Sequence, residues 1–399
     1  MTTGELTACP YPFPEAPALD LAPEYGEFRR TAGMPRLEMP YGGQAWLATR
    51  LADVKFVLAD PRFSRAAAVD RDIPRTMPMM ETTGSILAMD APDHPRVRRV
   101  VAKAFTARNV ERLRPLIEGI IDDLLARMTD GRTSADLVEE LALPMAVTAI
   151  SELLGVPEQE RHQFHEWATL VTTISGAPIE EIIAADTALR QFLRRLIAER
   201  AEHPTEDLLS TLLAAHGEEG RLSEDEMVSL GVALLAAGHE TTALQLAGHV
   251  FTLLSQREQW QRLVDDPDLV PTAVEELLRL TPLGVVTFAR IAKEDVEVGG
   301  TLVRAGESVV MQLAAANRDD ALVEHADELD FDRESNQHIA FGHGAHHCLG
   351  APLARLELKT ALGRLVRQLP QLRLAVPAEQ VVFRKGGLLR GPETLPVTW

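Results

Sequence analysis

Cysteine is nearly missing from this 399-residue chain: Cys9 and Cys348 are the only two. Two cysteines cannot form a disulfide framework, so a reducing, cytoplasmic compartment is expected. Basic residues are outnumbered, 40 Lys and Arg against 59 Asp and Glu, for a net charge of −19. Such a chain lacks the cationic footprint that nucleic acid or an anionic bilayer selects, so neither is an expected partner. Long apolar runs are missing too. No stretch of about 18 uncharged apolar residues suggests a membrane span. The opening MTTGELTACPYPFPEAPALD carries prolines and acids where a secretory leader has a basic start and an apolar core.

Helical pattern is what the chain has in quantity. It is 46% hydrophobic and 25% charged, a globular balance with length enough for a large core. With no fixed-period repeat, low-complexity tract or Gly/Pro/Ser-rich linker, one domain over 1–399 is expected. Apolar residues recur at three- and four-residue spacing through 108–128, 134–154, 181–200 and 258–280. Strand signals are few: GQAWLAT around residue 46, and VEVGGTLV (296–303), which reads as a hairpin turning at Gly299-Gly300. A mainly α fold with a small β region follows. The longest helix should start at Ser223, where Glu226 completes a capping box. It runs without proline through Gln256, about 50 Å at 1.5 Å per residue. Gly238-His239-Glu240-Thr241-Thr242 interrupts its apolar pattern. That cluster reads equally well as a kink from glycine and threonine back-bonding or as a functional site.

HIAFGHGAHHCLGAPLARLE (338–357) surrounds Cys348 with three glycines and four histidines. A nucleophilic cysteine could use His346 or His347, although neighbours this close in sequence rarely face each other productively. A zinc site could draw on His343, His346, His347 and Cys348. The second half of a tetrahedral set is missing, and H-E-T-T-A is not the H-E-x-x-H of zinc proteases. A merely structural cysteine leaves Gly342, Gly344 and Gly350 unexplained, since glycines let backbone approach a bulky flat ligand or take positive φ. A thiolate ligand to haem iron explains the most residues. Gly350-Ala351-Pro352 opens a helix there, so the sulfur lies at a helix N-terminus, which is expected to lower the thiol pKa.

Phe341-Gly342-His343-Gly344-Ala345-His346-His347-Cys348-Leu349-Gly350 resembles the F-G-x-G-x-x-x-C-x-G loop of the cytochrome P-450 superfamily. The likeness extends along nearly the whole chain. Glu276-Leu277-Leu278-Arg279 matches the family's E-x-x-R, a structural pair. Ala237-Gly238-His239-Glu240-Thr241 is similar to its A/G-G-x-D/E-T, and His94-Pro-Arg-Val-Arg98 to its H-x-x-x-R. The resemblance implies a long central helix over haem b, with Cys348 as iron ligand. It places His94, Arg98, Arg290 and His346 against the propionates, with Phe341, Gly350 and Ala237 beside the ring. Arginine and imidazole donors are what carboxylates pair with.

The activity so implied is insertion of one oxygen atom from O2 into a C–H bond of a lipophilic substrate. Thr241 would hydrogen-bond the activated oxygen and its protonating water, Glu240 would relay protons, and Gly238 would leave room for oxygen. His239 departs from the usual residue and is expected to pack as a neutral core histidine. Electrons would come from a ferredoxin and its NAD(P)H-dependent reductase, docking on Arg96, Arg99, Lys103, Arg108, Arg355, Lys359 and Arg364. The family's members of this type imply a monomer. The pocket should be lined by Ile86, Leu87, Thr172, Ala233, Ala237, Val286, Leu388 and Leu389, and 168–182, with Gly176 and Pro178, reads as a lid loop. The sequence is similar to actinobacterial members that tailor macrolides and polyenes, some of which oxidise a methyl group stepwise. The alternatives are a small terpenoid, steroid or fatty acid as substrate, a peroxide-driven enzyme, or a non-catalytic haem sensor.

Overall fold

The computed structural model describes residues 8–399 except 15, 77–83, 173–177, 206, 215–221, 285 and 386–388. The expected Leu388 and the centre of the expected lid loop therefore lie outside the described residues, and of Thr172 only its place at the end of a helix is described.

Helices dominate, as the periodicity implies. The longest, Glu224–Ser255, starts where expected: the Ser223 hydroxyl accepts from the Glu226 N–H, and the Glu226 carboxylate accepts from the Ser223 N–H. It stays continuous through the polar cluster. Thr241 Oγ1 donates to the Ala237 carbonyl at 2.5 Å, the back-bonding anticipated there. Although long and apolar enough on average to cross a membrane, this helix has over half of its most apolar stretch packed inside the protein. Leu143–Leu154 packs along it, as do Ile179–Glu202 and the helix after the cysteine, Ala351–Gln368.

Several periodic stretches break where periodicity alone does not show it. The 108–128 stretch divides into Ala107–Arg112 and Arg114–Thr129, with proline in the first turn of the second. The 134–154 stretch begins as a strand, Ser134–Asp136, before turning helical. Arg257–Asp265 and Val270–Leu280 replace the single 258–280 helix, because Pro267 and Pro271 open new turns between them.

A six-stranded mixed sheet runs in the order Cys9–Pro10, Arg36–Glu38, Gln44–Ala48, Ser308–Met311, Arg290–Ala292, Phe63–Ser64. Trp46 pairs in parallel with Val309, so GQAWLAT is a strand as its pattern implies. Val296–Val298 and Thr301–Val303 form the expected hairpin. Both turn glycines, Gly299 and Gly300, have φ of +55° and +87°, which a two-residue turn of this hand demands.

Two buried features fix the segment leading to Cys348. The Arg279 guanidinium meets both oxygens of Glu276 at 2.8 Å and donates to the carbonyls of Asn317, Ala326 and Glu328. Arg333 adds a second guanidinium to Glu276 at 2.8 Å, and the Asn336 amide donates at 2.9 Å. Side-chain exposures of 0% and 1% rule out the ordinary surface pair that E-x-x-R describes by spacing alone. The second feature is Glu275. Burial would raise its pKa, but His338, Lys359 and Arg355 surround it and hold it down to about 2.

Candidate haem site

The cysteine loop is shaped by glycines at two positions. Gly342 and Gly344 have φ of +77° and +71°, and a Cβ on Gly344 would sit 2.6 Å from the Leu58 carbonyl oxygen. Gly350 has an ordinary φ of −77° and serves as the N-cap of Ala351–Gln368, so positive φ does not explain that glycine. The Cys348 N–H donates to the Phe341 carbonyl at 2.9 Å, closing the loop. The Arg355 guanidinium stacks over the Phe341 ring at 4.5 Å.

The N–H groups of Gly350 and Ala351 hydrogen-bond the Cys348 sulfur as the helix-terminus argument requires, yet the thiol pKa moves up, not down. Cys348 keeps some exposed surface, but its sulfur is enclosed by protein atoms, and this burial outweighs the amides, Arg98 and Arg355. The expectation that the helix end alone keeps the sulfur anionic is thereby corrected; a bound metal cation deprotonates a thiol outright.

Around the loop the structure gathers positive charge. The His94 and His346 rings stack with centroids 4.0 Å apart. Arg98 donates to the His347 carbonyl at 2.6 Å, and Arg290, 5% exposed, reaches the Phe63 carbonyl at 3.4 Å. His346 is pushed down to about 3 by burial and then by His94, Arg290 and Arg65. Burial and Arg65 press Arg290 down to about 10, with Asp90 opposing. Among the described residues neither Arg98 nor Arg290 has a carboxylate within ion-pair distance. Buried like charges of this kind are stable only with anionic partners.

The donor set is thus one sulfur, plus arginine and imidazole groups lacking carboxylates of their own. It fits haem b, whose iron takes a thiolate and whose two propionates take charge-assisted hydrogen bonds. It does not fit a zinc cage: His346 stacks on His94, and no three His, Cys, Asp or Glu side chains converge among the described residues.

Arg65 is the member of this cluster that sequence reasoning missed. It is 4% exposed and donates through Nε to the Leu87 carbonyl at 3.0 Å. It stands in no motif, so its sequence carried no signal. Its contact ties Ile86–Ala88, a short 3-10 turn, to the propionate-type cluster. Ile86 there is buried, while Leu87 is 45% exposed.

On the central helix, Ala233, Ala237 and Thr241 lie four residues apart and so share one face. That face is half-buried or exposed, whereas 242–251 is buried throughout. His239 is buried at 2% exposure, as core packing requires. Gly238 has a packing cause that differs from the expected oxygen clearance. A Cβ there would lie 3.1 Å from Ile150 of the neighbouring helix. Glu240 is engaged by Arg384, a partner the sequence did not suggest. Leu389 bridges to Gly284, which brings the C-terminal segment beside half-buried Val286.

The expected docking patch is mostly self-neutralised. Arg96 is bound by Glu226, Arg355 and Lys359 by Glu275, and Arg364 by Asp122 and Glu118. Arg99, Lys103 and Arg108 remain exposed.

Comparison with known proteins agrees with this geometry. A family model described as cytochrome P450 matches residues 133–393. The chain is 50% identical over 391 residues to nocardicin C N-oxygenase of Nocardia uniformis subsp. tsuyamanensis, covering 98% of each. It is 46% identical over 400 residues to the mycinamicin IV hydroxylase/epoxidase of Micromonospora griseorubida, covering 100% of both. The LnmA cytochrome P450 hydroxylase from the leinamycin biosynthetic pathway of Streptomyces atroolivaceus superposes with a TM-score of 0.93 at 45% identity. That match covers 98% of this chain and 100% of that one.

Proposed function

The chain belongs to the cytochrome P450 family and is a haem-dependent monooxygenase; we propose that it oxidises a large lipophilic natural product of the macrolide or polyene kind. It acts as one domain over 1–399, a cytoplasmic monomer. The carrying observation is the accessible face of small residues, Ala233 and Ala237, leading to Thr241 on an otherwise buried helix. A wide apolar substrate needs such a surface. The mycinamicin relative, named for a macrolide, supports the same reading.

Bound haem supplies activation of O2 and transfer of one oxygen atom to the substrate. Cys348 ligates its iron, and the amides of Gly350 and Ala351 steady the sulfur. His94, Arg98, Arg290 and His346, joined by Arg65, hold the propionates. Phe341 covers the cysteine loop from the side of Arg355. Thr241 Oγ1 gives up its bond to the Ala237 carbonyl to orient a water. Glu240 takes a proton from solvent and passes it to this water. Ile86, Leu87, Ala233, Val286 and Leu389 border the substrate. Ferredoxin and its reductase supply electrons, and ferredoxin docks on Arg99 and Arg108. Reversing Arg99 and Arg108 weakens ferredoxin's KM and its salt dependence; unchanged values remove this docking surface.

A second reading is favoured by the relative named for N-oxygenation of nocardicin C: oxidation at a nitrogen. Titration of the purified holoprotein with macrolactones, small terpenoids and nocardicin-like amines separates these. A macrolactone that shifts the Soret band to high spin and gives an oxygenated product supports the proposal. A response confined to amines gives the site to nitrogen oxidation. A response confined to terpenoids ends the macrolide assignment.

A further inference from the structure

The geometry points to Arg384 as a positioning residue that pins the Glu240 carboxylate to the C-terminal hairpin and so governs its proton relay. The inference rests on the reading of Glu240 as relay acid. Phe383 and Arg384 pair with Pro392 and Gly391 as a hairpin stem, and this stem is bound to the central helix at three places. The Phe383 ring packs edge-on against Phe251 with centroids 5.0 Å apart. Arg384 Nη1 meets Glu240 Oε1. Gly391 lies so close that a Cβ would be 2.9 Å from Leu244 Cδ2.

The stem is also closed on itself and on the body of the protein. The Arg384 N–H donates to the Gly391 carbonyl at 3.1 Å, and Phe383 bridges to Pro392. Arg390 donates to the carbonyls of Asp20 and Ala18, each at 2.8 Å. The same hairpin carries Leu389, which bridges to Gly284 beside Val286. Arg384 therefore stands between the segment assigned to substrate and the acid next to Thr241.

A charge-assisted bond from a guanidinium restricts the rotamers of the carboxylate it holds. Glu240 is 14% and Arg384 30% exposed in their side chains, so the contact is shielded on the Glu240 side and open to solvent on the other. The relay needs one proton to leave a Glu240 oxygen for the water held by Thr241, and one to return from solvent. Arg384 holds the carboxylate where both transfers can reach it. Without Arg384 the carboxylate turns among rotamers and the transfer slows.

The test uses the full-length holoenzyme with NADH, a ferredoxin and its reductase, without added substrate. NADH consumption and the H2O/D2O rate ratio are measured for Glu240→Gln, Arg384→Gln, Arg384→Lys and the Glu240→Gln/Arg384→Gln double variant. Glu240→Gln should slow turnover at least about tenfold and raise the isotope ratio. Arg384→Gln should slow it about threefold to tenfold with the same rise, Arg384→Lys should recover most of it, and the double variant should match Glu240→Gln. Amide exchange of the ferric holoprotein is the second readout. Loss of either partner should speed exchange of the Arg384 amide about tenfold.

If Glu240→Gln changes nothing, the relay reading fails. If Glu240→Gln acts while Arg384→Gln keeps wild-type rate and isotope ratio, the positioning role alone is overturned. Fully multiplicative effects in the double variant, or unchanged amide exchange in both single variants, overturn it as well.

Discussion

Two clusters of buried charge lie within the same molecule and are built on opposite plans. Around Glu276 the charges are complementary: one carboxylate faces Arg279, Arg333 and Asn336, and Arg279 spends its remaining donors on three carbonyls. Around His346 the charges share one sign: Arg65, Arg98 and Arg290 crowd two imidazoles, His94 and His346, whose pKa values burial and these cations push down, with Asp90 a weaker counterweight. Buried ions are tolerated only when paired. The first cluster finds its partners within the chain, so it serves the fold. The second would be matched by the two carboxylates of haem, and on the proposed reading it serves the cofactor. Motif spacing alone cannot make this distinction; E-x-x-R and H-x-x-x-R each appear in the sequence as two polar letters at a fixed offset.

The largest effect that would test this contrast is expected at Glu276. Glu276→Gln leaves two guanidinium groups, one of them 0% exposed, facing a neutral amide. Breaking a buried pair from one side costs about 3–5 kcal/mol. Denaturant unfolding of the holoprotein should register that loss, with a fall in haem content because 326–336 leads directly to the cysteine loop. Wild-type stability in this variant would place the E-x-x-R pair among ordinary helix-surface pairs.

Much of the site was legible because its chemistry is local. The loop from Phe341 to Gly350, the Glu240-Thr241 pair and the H-x-x-x-R helix each fit within ten residues, and their spacing survives into the structure. What was not legible came from distant segments meeting. Arg65 reaches the loop from the edge of the six-stranded sheet. Arg333 joins Glu276 from 57 residues away, and Arg384 joins Glu240 from 144. No periodicity encodes such meetings. The pairing of the basic patch was hidden for a related reason: Arg355 and Lys359 look free on their helix, but Glu275 on another helix binds both. Helix breaks were under-read where proline starts a new helix, at Pro115 and Pro271, since Pro is accepted in a first turn. In fold terms, the capping box at Ser223 and the Gly299-Gly300 turn were legible because each is set by a few adjacent residues.

A second, smaller effect sharpens the contrast with a third buried carboxyl. Glu357, on the helix that follows Cys348, has no guanidinium partner among the described residues; burial pushes it up to about 8, and the Thr242 hydroxyl opposes this only in part. Its folded pKa lies above the unfolded value of 4.5, so between about pH 4.5 and 8 the folded state holds a proton that the unfolded state has lost. Stability therefore falls as pH rises through that window. The drop should be about 3 kcal/mol between pH 6 and 9. Glu357→Gln, neutral at every pH, should remove it, giving a flatter profile and the more stable protein at pH 9. Thermal unfolding of the two holoproteins across that range checks it; parallel profiles would mean that Glu357 is paired as Glu276 is.

The smallest effect is expected at Arg290, and its sign is the useful part. Replacing a partner in the Glu276 cluster always destabilises, whereas Arg290→Leu removes one of several like charges. Haem-depleted Arg290→Leu should be as stable as the depleted wild type or about 1 kcal/mol more so, because a desolvated and repelled guanidinium is gone. The holoprotein should move the other way, losing haem to an apo-haemoprotein acceptor about tenfold faster, since a buried bond from Arg290 to a propionate is lost. Opposite signs in the two forms would identify Arg290 as a cofactor-binding charge. A loss of stability in the depleted form comparable to that of Glu276→Gln would instead make it part of the framework, with the Phe63 carbonyl as its partner.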